Sequence, residues 1–354
     1  MYNLFSLVLL LFVPLSVIAK IGGWNSELIF ITSALAIIPL SLWLSTAIEK
    51  IAVVTGPSVG GLINAVFSNA TLLIISLIAL REGLIDLVKA SITGSILCDL
   101  LLYMGLGMLA GGIVHKQQNF QSILARVNGS SMTLAVLAVA LPTLVIDTSK
   151  VVDPSIITNL SILVAVILLI VYGLTLLFSL KTHSFLYEVG LANKDEDQEE
   201  INLSLWIGVL LICTLLVSYE SDLFVGQVES VTEGYGLTPL FTGVILLPLI
   251  SDMAGIVTVI RLSLKNNMDL TVATAMGDSL LVSLFVAPFL VLLGQLIGQE
   301  NMDLHFNSFQ VVSLGISLAV CNLISFSGQS NWLDGTLLLA TYVIFALGFF
   351  YHPA

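Results

Sequence analysis

The sequence predicts an all-α integral membrane protein with about eleven transmembrane helices. Three observations predict it: apolar runs of about 20 residues recur from end to end, charged residues are scarce, and one polar motif appears in both halves of the chain. Of 354 residues, 57% are hydrophobic and only 10% charged, too few to clothe a soluble domain. A run of about 20 residues crosses a ~30 Å hydrocarbon core as a helix. Lipid offers no hydrogen bonds, so each such run must satisfy its own backbone, and a helix does this. A membrane β-barrel would show short alternating strands, whereas these runs are continuously apolar.

The first span, 3–19, has the look of a signal peptide, with Val17-Ile18-Ala19 as a passable cleavage site. It lacks a basic leading region and reads as a retained extra helix, residues 1–20. The next five spans are expected at 27–48, 58–80, 88–112, 130–147 and 156–179, within a first half covering 27–180. Residues 181–202 break the pattern with Asn193-Lys194-Asp195-Glu196-Asp197-Gln198-Glu199-Glu200. Acids this dense stay solvated, as a linker between halves or as a weak cation-binding regulatory patch. The second half, 203–352, holds spans at 203–219, 237–262, 270–297, 308–326 and 332–351. Placing the acidic loop in the cytoplasm brings Lys50, Lys116, Arg126, Lys181, Lys194, Arg261 and Lys265 there, against Lys20, Arg81, Lys89 and Lys150 outside. That bias predicts a cytoplasmic amino terminus in a multi-pass cell-membrane protein.

Several function classes drop out. Only 11 lysines and arginines offset a net charge of −12, with no basic patch for nucleic acid. Cys98, Cys213 and Cys321 all fall within apolar spans and read as buried, reduced side chains. The four histidines are scattered, and neither a His-Glu-x-x-His run nor a Ser/His dyad lies in a span. An enzyme is not expected, nor a cofactor, and the first partner is the bilayer.

The internal repeat points to transport. Pro57-Ser58-Val59-Gly60-Gly61 leads into Ser68-Asn69-Ala70-Thr71-Leu72, and Thr93-Gly94-Ser95 follows. In the second half Leu247-Pro248 leads into Ser251-Asp252-Met253-Ala254-Gly255, and Met276-Gly277-Asp278 follows. Asn69 and Gly94 are 25 residues apart, as are Asp252 and Gly277. These segments sit in the third and eighth spans, and an offset of five inverts the second copy. Inverted repeats with small-residue interruptions at matching places are the mark of secondary transporters whose site lies near the midplane.

At these repeats the sequence resembles the calcium/proton exchanger branch of the cation/calcium exchanger superfamily. The resemblance runs from about Ile31 to Pro353 and includes Gly60-Gly61-Leu62-Ile63-Asn64-Ala65, Ser179-Leu180-Lys181-Thr182-His183, Lys265-Asn266-Asn267-Met268-Asp269-Leu270 and Ser330-Asn331-Trp332-Leu333-Asp334-Gly335. It implies two inverted five-helix repeats preceded by one extra helix. It also implies a Gly-Asn-Ala-x-Glu motif in each repeat, the two glutamates binding calcium or protons in turn. Here Leu72 and Gly255 stand at the glutamate positions and offer no side-chain oxygen. Other carboxylates have entered instead: Asp252 and Asp99 where the family has asparagine, and Asp278 where it usually has serine.

An aspartate deep in a bilayer costs roughly 2.5–3.5 kcal/mol on insertion scales, so it usually faces a cavity or a partner. The candidate cation and proton site is therefore Asp99, Asp252 and Asp278, assisted by Asn69, Thr71, Ser95, Ser251, Thr274 and Ser279. Two functions stay open: a cation/proton antiporter with a relocated, aspartate-based site and altered selectivity, or a non-transporting scaffold or regulatory protein that kept the fold. Glu49 and Glu220 match family acids and read either as entrance-lining or as solvated helix ends.

Overall fold

The computed structural model describes residues 7–149, 153–184, 201–297 and 301–352; the acidic run Asn193 to Glu200 lies outside the described residues. The chain forms α1 (Leu7–Ile21), α2 (Ser26–Phe67), α3 (Ala70–Arg81), α4 (Ile85–His115), α5 (Ser122–Ser149) and α6 (Pro154–Leu177). The second half forms α7 (Leu203–Tyr235), α8 (Pro239–Ser251), α9 (Met253–Leu264), α10 (Met268–Ile297), α11 (Ser308–Ser325) and α12 (Trp332–Tyr351). Eight helices are long and apolar enough to cross a membrane, and α8 with α9, bent by 60° at a break, makes a ninth among the described residues. The two remaining segments, α1 and α3, are shorter apolar helices, so length alone accounts for eight or nine crossings rather than eleven.

Two boundaries differ most from expectation: α7 runs on to Tyr235, well beyond the expected end at 219, and α2 has no break where one was expected. Residues 49–57 form no loop: α2 continues for 42 residues to Phe67, and the Thr55 hydroxyl donates back to the Ile51 carbonyl at 2.9 Å. The interruption falls at Ser68 and Asn69 instead.

The helix ends sort into two faces. At the first, Arg81 pairs with Asp222 of α7 at 2.6 Å, and Lys89 of α4 pairs with Asp303 before α11 at 2.6 Å. At the second, His115 at the end of α4 meets the Leu264 carbonyl at the end of α9 at 3.0 Å. There, too, β1 (Gln117–Asn119) pairs antiparallel with β2 (Gln329–Asn331), Gln118 opposite Ser330. From its break α3 runs to the first face, whereas α9 runs from its break to the second. The two copies are inverted.

Buried α4 and α10 form the middle, and α7 and α12 face outward. Glycine lets α4 and α8 approach to backbone contact: a Cβ on Gly94 would collide with the Val244 backbone, and one on Gly243 with the Ala90 side chain. Both inner helices widen into a π-helical turn, Cys98–Tyr103 in α4 and Val282–Val286 in α10. Such turns often accompany functional sites because they redirect side chains and free backbone carbonyls.

Candidate functional site

The site is built where two helices stop and restart. Asn69 (φ −105°, ψ 32°) separates α2 from α3, and Asp252 (φ −113°, ψ 20°) separates α8 from α9. Matching sequence motifs thus give nearly matching backbone. A break in mid-membrane leaves backbone groups without intrahelical partners, which is tolerated where they border a cavity. Neither Asn69 nor Asp252 spends its side chain on capping the following helix.

A cavity of about 130 Å³ lies against both breaks. Asn69, Thr71, Ser251, Asp252, Thr274 and Asp278 all line it. The Asn69 amide reaches the Asp278 backbone carbonyl at 3.5 Å, and Ser68 stands beside the Asp278 carboxylate. The Tyr103 hydroxyl donates to the Asp252 backbone carbonyl. Ser95 and Asp99 lie behind the wall, both fully buried in α4. Ser279 donates to one Asp99 carboxylate oxygen at 3.4 Å, while the other has no partner; one oxygen of Asp252 is likewise unpartnered. Ser95 stands beside Asp252, and the three carboxylates are near enough to repel one another.

The three aspartates are neighbours with different roles in the geometry. Asp252 and Asp278 face the cavity, and Asp99 stands apart from it. Among the described residues no three His, Cys, Asp or Glu side chains converge to hold a metal ion in this conformation. Four of the oxygen-bearing helpers, Asn69, Thr71, Ser251 and Thr274, reach the cavity; Ser95 and Ser279 border Asp252 and Asp99 instead.

At the two positions where glutamate was expected, the space is taken. Leu72 is fully buried in the apolar core with Ile75. Gly255 lies against the ring of Tyr103: a Cβ there would fall 2.8 Å from the phenol oxygen. Tyr103 is the participant that sequence reasoning missed. A signal existed, since it lies four residues after Asp99 on one helix and is the only tyrosine in that apolar span. Glu49 lines the cavity on the second-face side, within electrostatic reach of Arg261. Glu220 is far from it: fully buried, it accepts a 2.7 Å hydrogen bond from Ser16 of α1.

Comparison with known proteins agrees with this architecture. Residues 25–181 and 205–351 match the family described as sodium/calcium exchanger protein. The chain is 50% identical over 358 residues to a Ca(2+)/H(+) antiporter of Aphanothece halophytica, across 98% of this chain and 96% of that protein. It is 37% identical to the Ca(2+)/H(+) antiporter ChaA of Bacillus subtilis, across 99% of each. The solved structure of native YfkE superposes with a TM-score of 0.86 at 34% identity, covering 98% of this chain and all of that one. The H+/Ca2+ exchanger CAX, at 12% identity, shares the fold with a TM-score of 0.75 over 100% of this chain and 89% of that one.

Proposed function

This chain belongs to the sodium/calcium exchanger protein family, in its calcium/proton exchanger branch, and from that premise we propose that it exchanges a cation for protons at a site carried by aspartates instead of the family's glutamates. The observation that carries the reading is the pair Asp252 and Asp278 on one cavity at the helix breaks, with Asp99 buried behind. Among the described residues no lysine or arginine lines that cavity. Three neighbouring carboxylates without a counter-ion cannot all stay ionised in a low-dielectric interior. A cation entering the cavity favours ionisation and expels protons; protons arriving expel the cation. That competition is the chemistry of antiport.

The oxygens available are the carboxylates of Asp252 and Asp278, the Asn69 amide, the hydroxyls of Thr71 and Ser251, and backbone carbonyls freed at the breaks. A hard divalent ion wants about 6–8 oxygens, and losing both motif glutamates lowers the anionic share. Calcium binding is therefore weaker than in a relative that keeps them, and another divalent ion or sodium competes for the site. The halves 27–180 and 203–352 rock against each other around this point. In the orientation set by lysine and arginine, the amino terminus and acidic loop are cytoplasmic, and Glu49 and Thr258 line the cavity from that same side.

A second reading, a scaffold that no longer transports, is favoured by the lack of a converged acidic cluster among the described residues. Thermal unfolding in detergent from pH 5 to 9, with sodium, calcium, manganese or no added ion, separates the two. Because cation and proton compete, cation-induced stabilisation should grow as pH rises. Proton-driven flux into everted vesicles should follow the same ion preference. Melting indifferent to every ion at every pH, with no flux, establishes the scaffold.

A further inference from the structure

A cavity of about 410 Å³, larger than the one at the helix breaks, lies between α5 and α11 at the second face. Arg126, Ser130 and Thr133 line it from α5, and Asn322, Ser325 and Phe326 from α11 and its end. Among the described residues Arg126 forms no ion pair: the cations that do are Arg81, Lys89 and His305. Ser325 is 97% buried, and its hydroxyl makes no hydrogen bond; only the Cys321 thiol, a weak donor, lies beside it.

The surroundings fix the depth. Arg126 stands one turn inside α5, about 6 Å from its start. On neighbouring helix ends Trp332 is half-exposed, while Leu323 and Phe326 are 77% and 83% exposed. Tryptophan and arginine sit at headgroup level, with bare apolar side chains just below, against acyl chains. This face also carries Lys116, Arg261 and Lys265, cations that attract an anionic leaflet.

We propose that this groove is a binding site for an anionic phospholipid, with Arg126 on the phosphodiester, Ser130, Thr133 and Asn322 around its oxygens and glycerol, and an acyl chain descending past Leu323. Phosphate suits the site because guanidinium offers two parallel donors to it and the Asn322 amide adds another. The Ser130 and Thr133 hydroxyls, which donate to the Arg126 and Gly129 carbonyls at 2.9 and 2.8 Å, turn toward the ligand when it binds. The exposed apolar side chains of Leu323 and Phe326 beside the groove suit an occupant that carries acyl chains, one drawn from the bilayer. The site is separate from the ion cavity and does not depend on how that cavity works.

The test uses the full-length chain in detergent, titrated with phosphatidylglycerol, phosphatidylcholine or inorganic phosphate, and read by bound lipid in native mass spectrometry and by melting temperature. Phosphatidylglycerol should bind and stabilise, and Arg126→Gln should weaken it about tenfold or more. Arg126→Lys should recover only part of the loss, and Thr133→Val, which leaves the cation in place, should weaken binding several-fold if Arg126→Gln does not fold. Equal binding of phosphatidylglycerol by wild type and Arg126→Gln overturns the proposal. So does equal response to phosphatidylcholine, saturation by inorganic phosphate alone, or disulfide capture of a second copy through Ser130→Cys in the lipid-free protein.

Discussion

The two helix breaks share a backbone and differ in chemistry. At the first, a neutral amide, Asn69, stands at the break, and one turn later Leu72 is locked into apolar packing. At the second, a carboxylate, Asp252, stands at the break, and one turn later Gly255 leaves room that the Tyr103 ring occupies. The fold's twofold logic thus fixes where the chain opens, but not where the charge goes. The site's carboxylates stand at the second break and on the inner helices, at Asp252, Asp278 and Asp99, while the restarted helices α3 and α9 carry none. A pseudo-symmetric scaffold can hold an asymmetric site because backbone breaks and side-chain oxygens are specified by different residues.

The sharpest way to break this comparison is to make the two breaks alike. Asp252→Asn removes the one carboxylate at a break and should cut cation-driven proton flux in everted vesicles roughly 10- to 100-fold, the worth of a hydrogen bond to a charged group at about 1.5–3 kcal/mol. Flux unchanged by that substitution would mean the charge at the second break is only structural. Asn69→Asp, adding the matching acid at the first break, should shift ion preference without abolishing flux.

Restoring a glutamate by itself should fail. Leu72→Glu puts a carboxylate into a fully packed apolar position and should cost roughly 2.5–3.5 kcal/mol or more in the membrane, visible as lost yield and lower melting temperature. Leu72→Met, close in volume, should cost under about 1.5 kcal/mol. If the glutamate is accepted without loss, the packing is softer than the geometry implies.

Gly255→Ala probes the other side. Its methyl meets the Tyr103 ring and should cost about 1–3 kcal/mol through overpacking. Tyr103→Leu in the same chain should relieve most of that cost, a coupling that a double-mutant cycle in thermal unfolding measures directly. Additive effects would remove Tyr103 from the account of the second break.

The smallest effect lies outside the membrane. Asp153 caps α6, taking hydrogen bonds from the Ser155 hydroxyl at 2.8 Å and backbone N–H at 2.9 Å, which hold its carboxyl below the usual range. A depressed carboxyl contributes stability above its unfolded value of about 3.9 and loses it as pH falls through the folded one. Asp153→Ala should therefore lower the melting temperature slightly at pH 7, with the difference shrinking as pH falls below about 3.9. A difference that does not shrink on acidification would assign the effect to packing.

Much of this was legible in the chain itself. Ser68-Asn69 and Ser251-Asp252 announce the breaks because small polar residues interrupt apolar runs at one spacing, and Asp99 and Asp278 stand out in spans otherwise nearly free of charge. The continuity of α2 through residues 49–57 was not legible. Glu49, Lys50 and Pro57 look like a loop in sequence, yet the backbone keeps its helical hydrogen bonds through them. The contact between Tyr103 and Gly255 depends on how two helices, distant in sequence, rotate against each other, which periodicity does not report. Strands of three residues, as in β1 and β2, are too short to show alternation.

That small ribbon has a consequence for biogenesis. Gln117 and Gln329 are 212 residues apart and joined side chain to side chain at 2.7 Å, and Gln118 reaches from β1 to the Ser263 carbonyl and Asn266 at 2.9 Å each. As helices leave the ribosome in order, the β1 edge waits unpaired while most of the protein is still being made. It can close only after α11 and the β2 strand that follows it have been made, so the ribbon acts as a latch whose closing comes late in assembly. A chain stalled or cut before Gln329 would present an open strand edge at the membrane surface, the kind of feature that quality-control proteases and chaperones can distinguish from a finished molecule.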